Sequence, residues 1–352
     1  MCSVPPPPHM LGGVALAVIA ASSSIGFAAG PPIGGILTQY LSWHWIFLIN
    51  IPIGIIGIPF VHKVIPPKDP PLAGEKAPPF DYAGAVTLFG AMVFGIFAIK
   101  EIAILSITDP LILVSTTLCV ICLSLFVIRE LTTPSPFINI RIFTKWQFSA
   151  VTVAFLLINI VFMGVIYLLP FYLSAEMNFD MAKSGMYLLI PPLLVTCIIS
   201  IPFGRLSDMY GRRWFVIAAC LLLIVFNAIF AVILPEAGTI SLIIALILMG
   251  AVFGIASGPA SSRIIETAPK GEEGTGSSLM ITTIYLGGVI GTALYAMIFT
   301  LATASDGVVA FADLDSATFL SGFHGTIMVG LIISMIPLFL SAIVKDEKKV
   351  YK

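Results

Sequence analysis

The side chains best placed to do chemistry are gathered in Gly204-Arg205-Leu206-Ser207-Asp208-Met209-Tyr210-Gly211-Arg212-Arg213, between two long apolar runs. Three arginines and an aspartate so close together cannot lie in hydrocarbon. They mark a short aqueous turn between two membrane spans. The chemistry on offer is electrostatic, with Asp208 placed to cap a helix end or pair with an arginine. Glycines at both ends permit a tight bend and close approach of the flanking helices. The plainer alternative is a positive anchor that only sets topology.

A second cluster, Phe155, Asn159, Phe162, Met163 and Tyr167, falls on one apolar segment. Aromatic rings and a thioether around a single amide suit bulky apolar or cationic compounds. The alternative is ordinary packing around one inter-helix hydrogen bond, because an amide facing lipid costs several kcal/mol. Asn227 is a further amide within a span, and Asn50 reads as structural. Cys119-x-x-Cys122 has redox or metal spacing, but inside a span it reads as a lipid- or helix-facing pair. No metal site and no cofactor is expected. Proton chemistry needs a carboxylate or histidine inside the membrane, yet no Asp, Glu, Lys, Arg or His falls at the centre of any predicted span. Glu101, Glu176, Glu236 and His324 all lie near span ends, and His44 and His62 flank one.

The elements that must hold these groups are transmembrane helices. The chain has 352 residues, 59% hydrophobic and 10% charged, with mean hydropathy +1.08. Soluble domains carry about 25% charged residues, so this is an all-α polytopic membrane protein partnered by the lipid bilayer. Net charge is -1, which leaves no basic surface for nucleic acid. Neither G-x-S-x-G nor H-E-x-x-H occurs, which removes support for a membrane-embedded enzyme. The N-terminus has no basic region of the kind that opens a signal peptide.

Apolar runs predict spans at 11–37, 43–62, 81–102, 109–128, 147–172, 184–203, 214–234, 239–258, 276–302 and 322–344. With both termini placed in the cytoplasm, fifteen of the seventeen lysines and arginines fall on the inner side. Only Lys100 and Lys183 are left outside, and reversing the topology inverts that bias. Outer loop 303–320 holds Asp306, Asp313 and Asp315 and no basic residue.

Gly204, Leu206, Asp208, Gly211, Arg212 and Arg213 match every defined position of G-x-L-x-D-x-x-G-R-[RK]. This pattern resembles the loop motif of the major facilitator superfamily. Gly26, Gly30, Pro31, Gly34 and Gly35 form G-x-x-x-G-P-x-x-G-G, similar to the fifth-helix signature of that superfamily's drug–proton antiporters. The spacing of Gly26, Gly30 and Gly34 also gives a bare stripe for close helix approach. Trp43-His44-Trp45-Ile46-Phe47-Leu48-Ile49-Asn50-Ile51-Pro52-Ile53-Gly54 resembles the start of the family's sixth helix. Ten spans counted from a fifth helix fit the fourteen-helix antiporters, which insert two helices between their halves. Phe80-Asp81-Tyr82-x-Gly84 resembles the entry to that insert.

The resemblance implies alternating access between two bundles, a cytoplasmic latch at 204–213, and efflux of drug-like or other hydrophobic or cationic molecules in exchange for protons. The plasma membrane is the implied location. Asp208 and Arg212 are expected to meet the inner end of the first span near Met10–Gly13. The implied divisions are 1–62, a remnant of the N-terminal bundle; 63–80, a Pro-rich cytoplasmic linker; 81–128, the inserted helices; 129–146, a second linker; 147–344, a C-terminal six-helix bundle; and 345–352, the tail. The family pattern begins four helices earlier. The expectation is therefore a truncated chain, or one completed by helices from another polypeptide. The alternative is a non-transporting remnant or scaffold. Stripes at Gly250, Gly254, Gly258 and at Gly287, Gly288, Gly291 predict close helix contacts.

Overall fold

In the computed structural model, the residues described are Gly30, 32–64, 81–102, Leu105, 108–133, Pro136, 138–232, 238–268, 273–303 and 314–344. Gly26, Pro31, Met10–Gly13, the linker 65–80, Asp306, Asp313 and the tail lie outside them.

The described chain is helical: α1 (32–40), α2 (Trp45–Leu48), α3 (Asn50–Val64), α4 (Tyr82–Glu101), α5 (Pro110–Thr132), a 3-10 turn (Ile140–Thr144), α6 (Trp146–Ala175), α7 (Met181–Tyr210), α8 (Arg212–Val232), α9 (Gly238–Thr267), α10 (Glu273–Thr303) and α11 (Ser316–Ile343). Among the described residues, nine helices are long and apolar enough to cross a membrane.

Aspartates set several helix starts. Asp81, Asp109, Asp180 and Asp315 accept from the backbone N–H of Gly84, Leu111, Lys183 and Thr318 at 2.7–3.3 Å. Each satisfies an orphan donor of a first turn and faces the positive end of the helix dipole. Gly84 N–H and then Arg129 hold the Asp81 carboxyl below its ordinary range, so the cap stays ionised at neutral pH.

Two helix ends differ from expectation. α7 does not stop at 203 but runs to Tyr210, and the chain breaks only at Gly211, whose φ is 98°. The ten-residue stretch is thus two more turns of α7, one glycine and the first two residues of α8. A helix leaving hydrocarbon keeps its backbone bonds, while long polar side chains reach for the interface. α9 runs on through Pro259 to Thr267, because a proline removes one hydrogen bond without ending a well-packed membrane helix.

Helices α6 and α8–α11 enclose the core, with Phe148, Leu168, Leu223, Phe230, Leu242, Tyr295 and Phe323 fully buried. Lipid offers little hydrophobic drive between helices, so contact depends on small residues that let backbones touch. A methyl on Gly291 would overlap Ile160 O, and one on Gly287 would stand 2.7 Å from Asn159 Cβ; both join α10 to α6. A methyl on Gly250 would overlap Pro192 O of α7, where Thr196 Oγ1 also donates to Gly250 O at 2.9 Å. Gly254 lies against Thr196 more loosely, and Gly288 makes ordinary contact with Met163. Nothing described stands near Gly258. The Tyr295 ring is wedged between Gly164 of α6 and Gly330 of α11.

α4 and α5 form an antiparallel hairpin, with Cys122 against Gly90 and Cys119 against Gly95. Cys119 Sγ also contacts Ala91 O at 3.2 Å. The C-x-x-C pair is therefore a helix-facing packing pair, as its setting in a span suggested.

Candidate functional site

Three of the five residues of the amide cluster come together. Phe155, Asn159 and Phe162 of α6 line a narrow apolar cleft with Val252, Phe253, Ala256 and Ser257 of α9. A period of three to four residues puts positions 155, 159 and 162 on one helix face. The Phe162 and Phe253 rings stack at 5.1 Å between centroids. Asn159 is 3% exposed, and its Nδ2 donates to Phe155 O at 2.8 Å. That bond to its own helix uses one amide hydrogen. Because Gly287 has no side chain, α10 presses on the Asn159 backbone and holds the residue at the edge of the cleft. The other two residues of the cluster point elsewhere. Met163 lies beside Gly288 of α10, and Tyr167 sits edge-on to Phe171 at 5.5 Å.

The arginine-rich segment is organised differently from its sequence reading. Gly204 is within α7 with no described neighbour within 4 Å of a built Cβ, and Leu206 is exposed. Gly211 makes the break between α7 and α8, at a positive φ that glycine alone tolerates freely. Arg212 Nη1 pairs with Glu266 Oε2 of α9 at 2.5 Å. Arg213 donates to Ala342 O at the end of α11, and Arg263 Nη2 donates to Val344 O at 3.0 Å. These bonds lace the ends of α8, α9 and α11 into one charged collar. They also give the last carbonyls of α11 the cationic donors that a helix C-terminus favours. Nothing in the sequence signalled Glu266 as the partner, because the two residues are far apart in the chain.

Among the described Asp, Glu, Lys, Arg and His residues, the one furthest from either end of its helix is His324, two turns into α11. Its Nε2 is buried without a hydrogen-bond partner. The sequence placed it near a span end, because the apolar run begins at 322 whereas the Asp315 cap starts the helix earlier.

At the opposite end from the collar, α1 meets α7. Gln39 Oε1 accepts from Ala182 N at 2.8 Å, and Gly35 lies so close that a methyl there would overlap Met181 O. Gly30 and Gly34 have no described neighbour within 4 Å of a built Cβ, so among the described residues the contact with α7 is made at Gly35.

A family model described as the Major Facilitator Superfamily matches residues 8–292. The chain is 28% identical over 287 residues to Riboflavin transporter RibZ of Clostridioides difficile (strain 630), covering 82% of this chain and 61% of RibZ. It is 28% identical over 292 residues to Lincomycin resistance protein LmrB of Bacillus subtilis (strain 168), covering 82% of this chain and 59% of LmrB. Against the Listeria monocytogenes LmrB, identity is 29% over 354 residues, 97% of this chain and 72% of that protein. The chain spans about three fifths of the length of the first curated relatives it matches.

Proposed function

The chain belongs to the major facilitator superfamily, and on that premise we propose that it takes part in proton-coupled efflux of hydrophobic or cationic small molecules by alternating access. What carries this reading is the family membership; the α6–α9 face, closed in this conformation to a gap of about one water's size, is where a substrate contact would open. Phenylalanine faces bind flat apolar or cationic groups, and the Asn159 amide gives such a cleft one polar point of orientation. The names of the relatives point the same way: two are lincomycin resistance proteins and one is a riboflavin transporter. Lincomycin and riboflavin are named for those proteins, and here they indicate only a class of small organic molecule.

In this reading the protein sits in the plasma membrane with both termini in the cytoplasm, as the lysine and arginine distribution favours. The collar of Arg212, Arg213, Glu266 and Arg263 is the inner latch of the C-terminal bundle. The Gly35–Gln39 contact with α7 is its outer counterpart. Residues 1–62 act against the six-helix bundle 147–344, and 81–128 are inserted between them.

The test is transport by the full chain in proteoliposomes carrying an imposed pH gradient, with ethidium as probe. Ethidium movement is expected to follow the gradient and collapse with a protonophore. Asn159→Leu keeps the branched shape and removes the amide, so it should slow movement about tenfold, the equivalent of losing roughly 1.4 kcal/mol of binding. Ethidium rates no higher than in empty liposomes, from protein that elutes as a single species, would favour the non-transporting scaffold.

A further inference from the structure

The two inserted helices are fastened to the C-terminal bundle along α10 and through the strap that follows α5. α4 packs along α10 within the membrane. At the collar end, Arg129 Nε reaches both carboxylate oxygens of Asp81 at 3.2 and 3.3 Å, closing the hairpin on itself. The next residue, Glu130, is 2% exposed and lies over Gly84, where a built Cβ would stand 2.5 Å from Glu130 Oε1. Its other oxygen, Oε2, accepts from Ile138 N at 2.9 Å. One carboxylate therefore touches α4, belongs to α5 and holds the strap that leaves the hairpin.

That strap is not a loose tether. Arg141 Nη2 donates to Leu131 O at 2.9 Å, turning the 3-10 segment back on the end of α5. Ile142 is 2% exposed and belongs to the core of the C-terminal bundle. The Phe143 ring meets Phe148 edge-on at 5.4 Å, and Ser149 Oγ donates to Phe143 O. Bonded and packed on both sides, the strap transmits displacement, because a close-packed core does not deform gradually.

The N-terminal segment is held differently. No residue of Trp45–Lys63 is buried. The described side-chain hydrogen bond from α1 to the later helices is Gln39 to Ala182.

We propose that α4–α11 move as a single body, that Glu130 is the positioning residue fastening the hairpin into it, and that α1–α3 lie outside it. In alternating access the relative motion then falls between α1–α3 and everything after Asp81, with no joint between the inserted hairpin and the C-terminal bundle. This rests on the transport reading only for the existence of a motion, because the body is defined by contacts of the resting structure.

Spin labels attached through genetically encoded reactive residues leave the native cysteines in place. Phe89 on α4, Ile56 on α3 and Ile332 on α11 are all exposed and suit this. Pulsed electron resonance on the full chain in nanodiscs should give the Phe89–Ile332 pair one narrow distance, the same at pH 5 and pH 8 and with or without ethidium. The Ile56–Ile332 distance should shift by more than its own width. Glu130→Ala leaves Ile138 N without its acceptor and should at least double the width of the Phe89–Ile332 distribution. Glu130→Gln keeps an oxygen there and should retain the narrow distribution, a rescue that a purely charge-based role would not give.

A Phe89–Ile332 distance that moves in step with Ile56–Ile332 overturns the proposal. So does a Glu130→Ala distribution as narrow as the parent's. A stationary Ile56–Ile332 pair beside a narrow, Glu130-dependent Phe89–Ile332 pair supports the body and counts against alternating access.

Discussion

Gly291→Ala should cost the C-terminal bundle about 3 kcal/mol, the upper part of the range for overpacking a filled core. The added methyl would overlap Ile160 O, which is backbone and cannot rotate aside. Relief requires α10 to move away from α6, and that opens the contact at Gly287 and Asn159 as well. For a unit of this size the loss corresponds to roughly 6–12 °C in melting temperature. Thermal unfolding of the purified protein, followed by fluorescent labelling of buried Cys220, measures it. Gly288→Ala is the control. It lies on the same turn, but its methyl would meet Met163 Cγ at an ordinary 3.6 Å, so the change should be small. Equal melting temperatures for the two variants would mean that close approach at Gly291 does not hold these helices together.

Gly35→Ala should slow transport as much as Asn159→Leu. A methyl at this position would overlap Met181 O at the start of α7 and push α1 outward. The Gln39–Ala182 hydrogen bond of 2.8 Å lies one helical turn further along and is lost with it. With the outer contact broken, an impermeant reagent should reach a cysteine at Ala182 more readily, and ethidium transport should fall about tenfold, as for any contact worth roughly 1.4 kcal/mol. Gly30→Ala and Gly34→Ala meet no described neighbour and should leave both readouts near the parent's. If all three glycines behave alike, the stripe acts as a uniform face and the specific joint at Gly35 is wrong.

The parts of this fold that could be read from sequence are those governed by local rules. Phe80-Asp81-Tyr82-x-Gly84 resembled a helix entry, and a helix does start there, with Asp81 as the cap that only the structure shows. Glycines at Gly250, Gly287 and Gly291 announce close contact, because a membrane helix approaches another mainly where side chains are absent. The cysteine pair was legible because a thiol in a span has little choice beyond packing. Not every glycine of a stripe makes a close contact among the described residues: Gly258 touches nothing described, and the described contact of α1 with α7 is at Gly35.

The missed charge pairings share one cause, which is that the partner lies far off in the chain. Arg212 reads as a turn residue until Glu266 is brought beside it. Arg129-Glu130 reads as charge at a span end, and only the folded chain shows Glu130 placed on Gly84 and Ile138. Hydropathy also marks where hydrocarbon ends but not where a helix ends. That is why α7 and α9 outrun their apolar segments and why His324 is deeper than its flanks suggest.

The claim beneath the functional reading is that the arginine-bearing junction of α7 and α8 faces the cytoplasm. Met209 is 77% exposed beside it, so Met209→Cys offers a handle for a membrane-impermeant maleimide. Labelling in inside-out vesicles and protection in intact cells is the result expected. Labelling of Met209→Cys from outside intact cells would reverse the topology, and the latch and the direction of transport would be contradicted together.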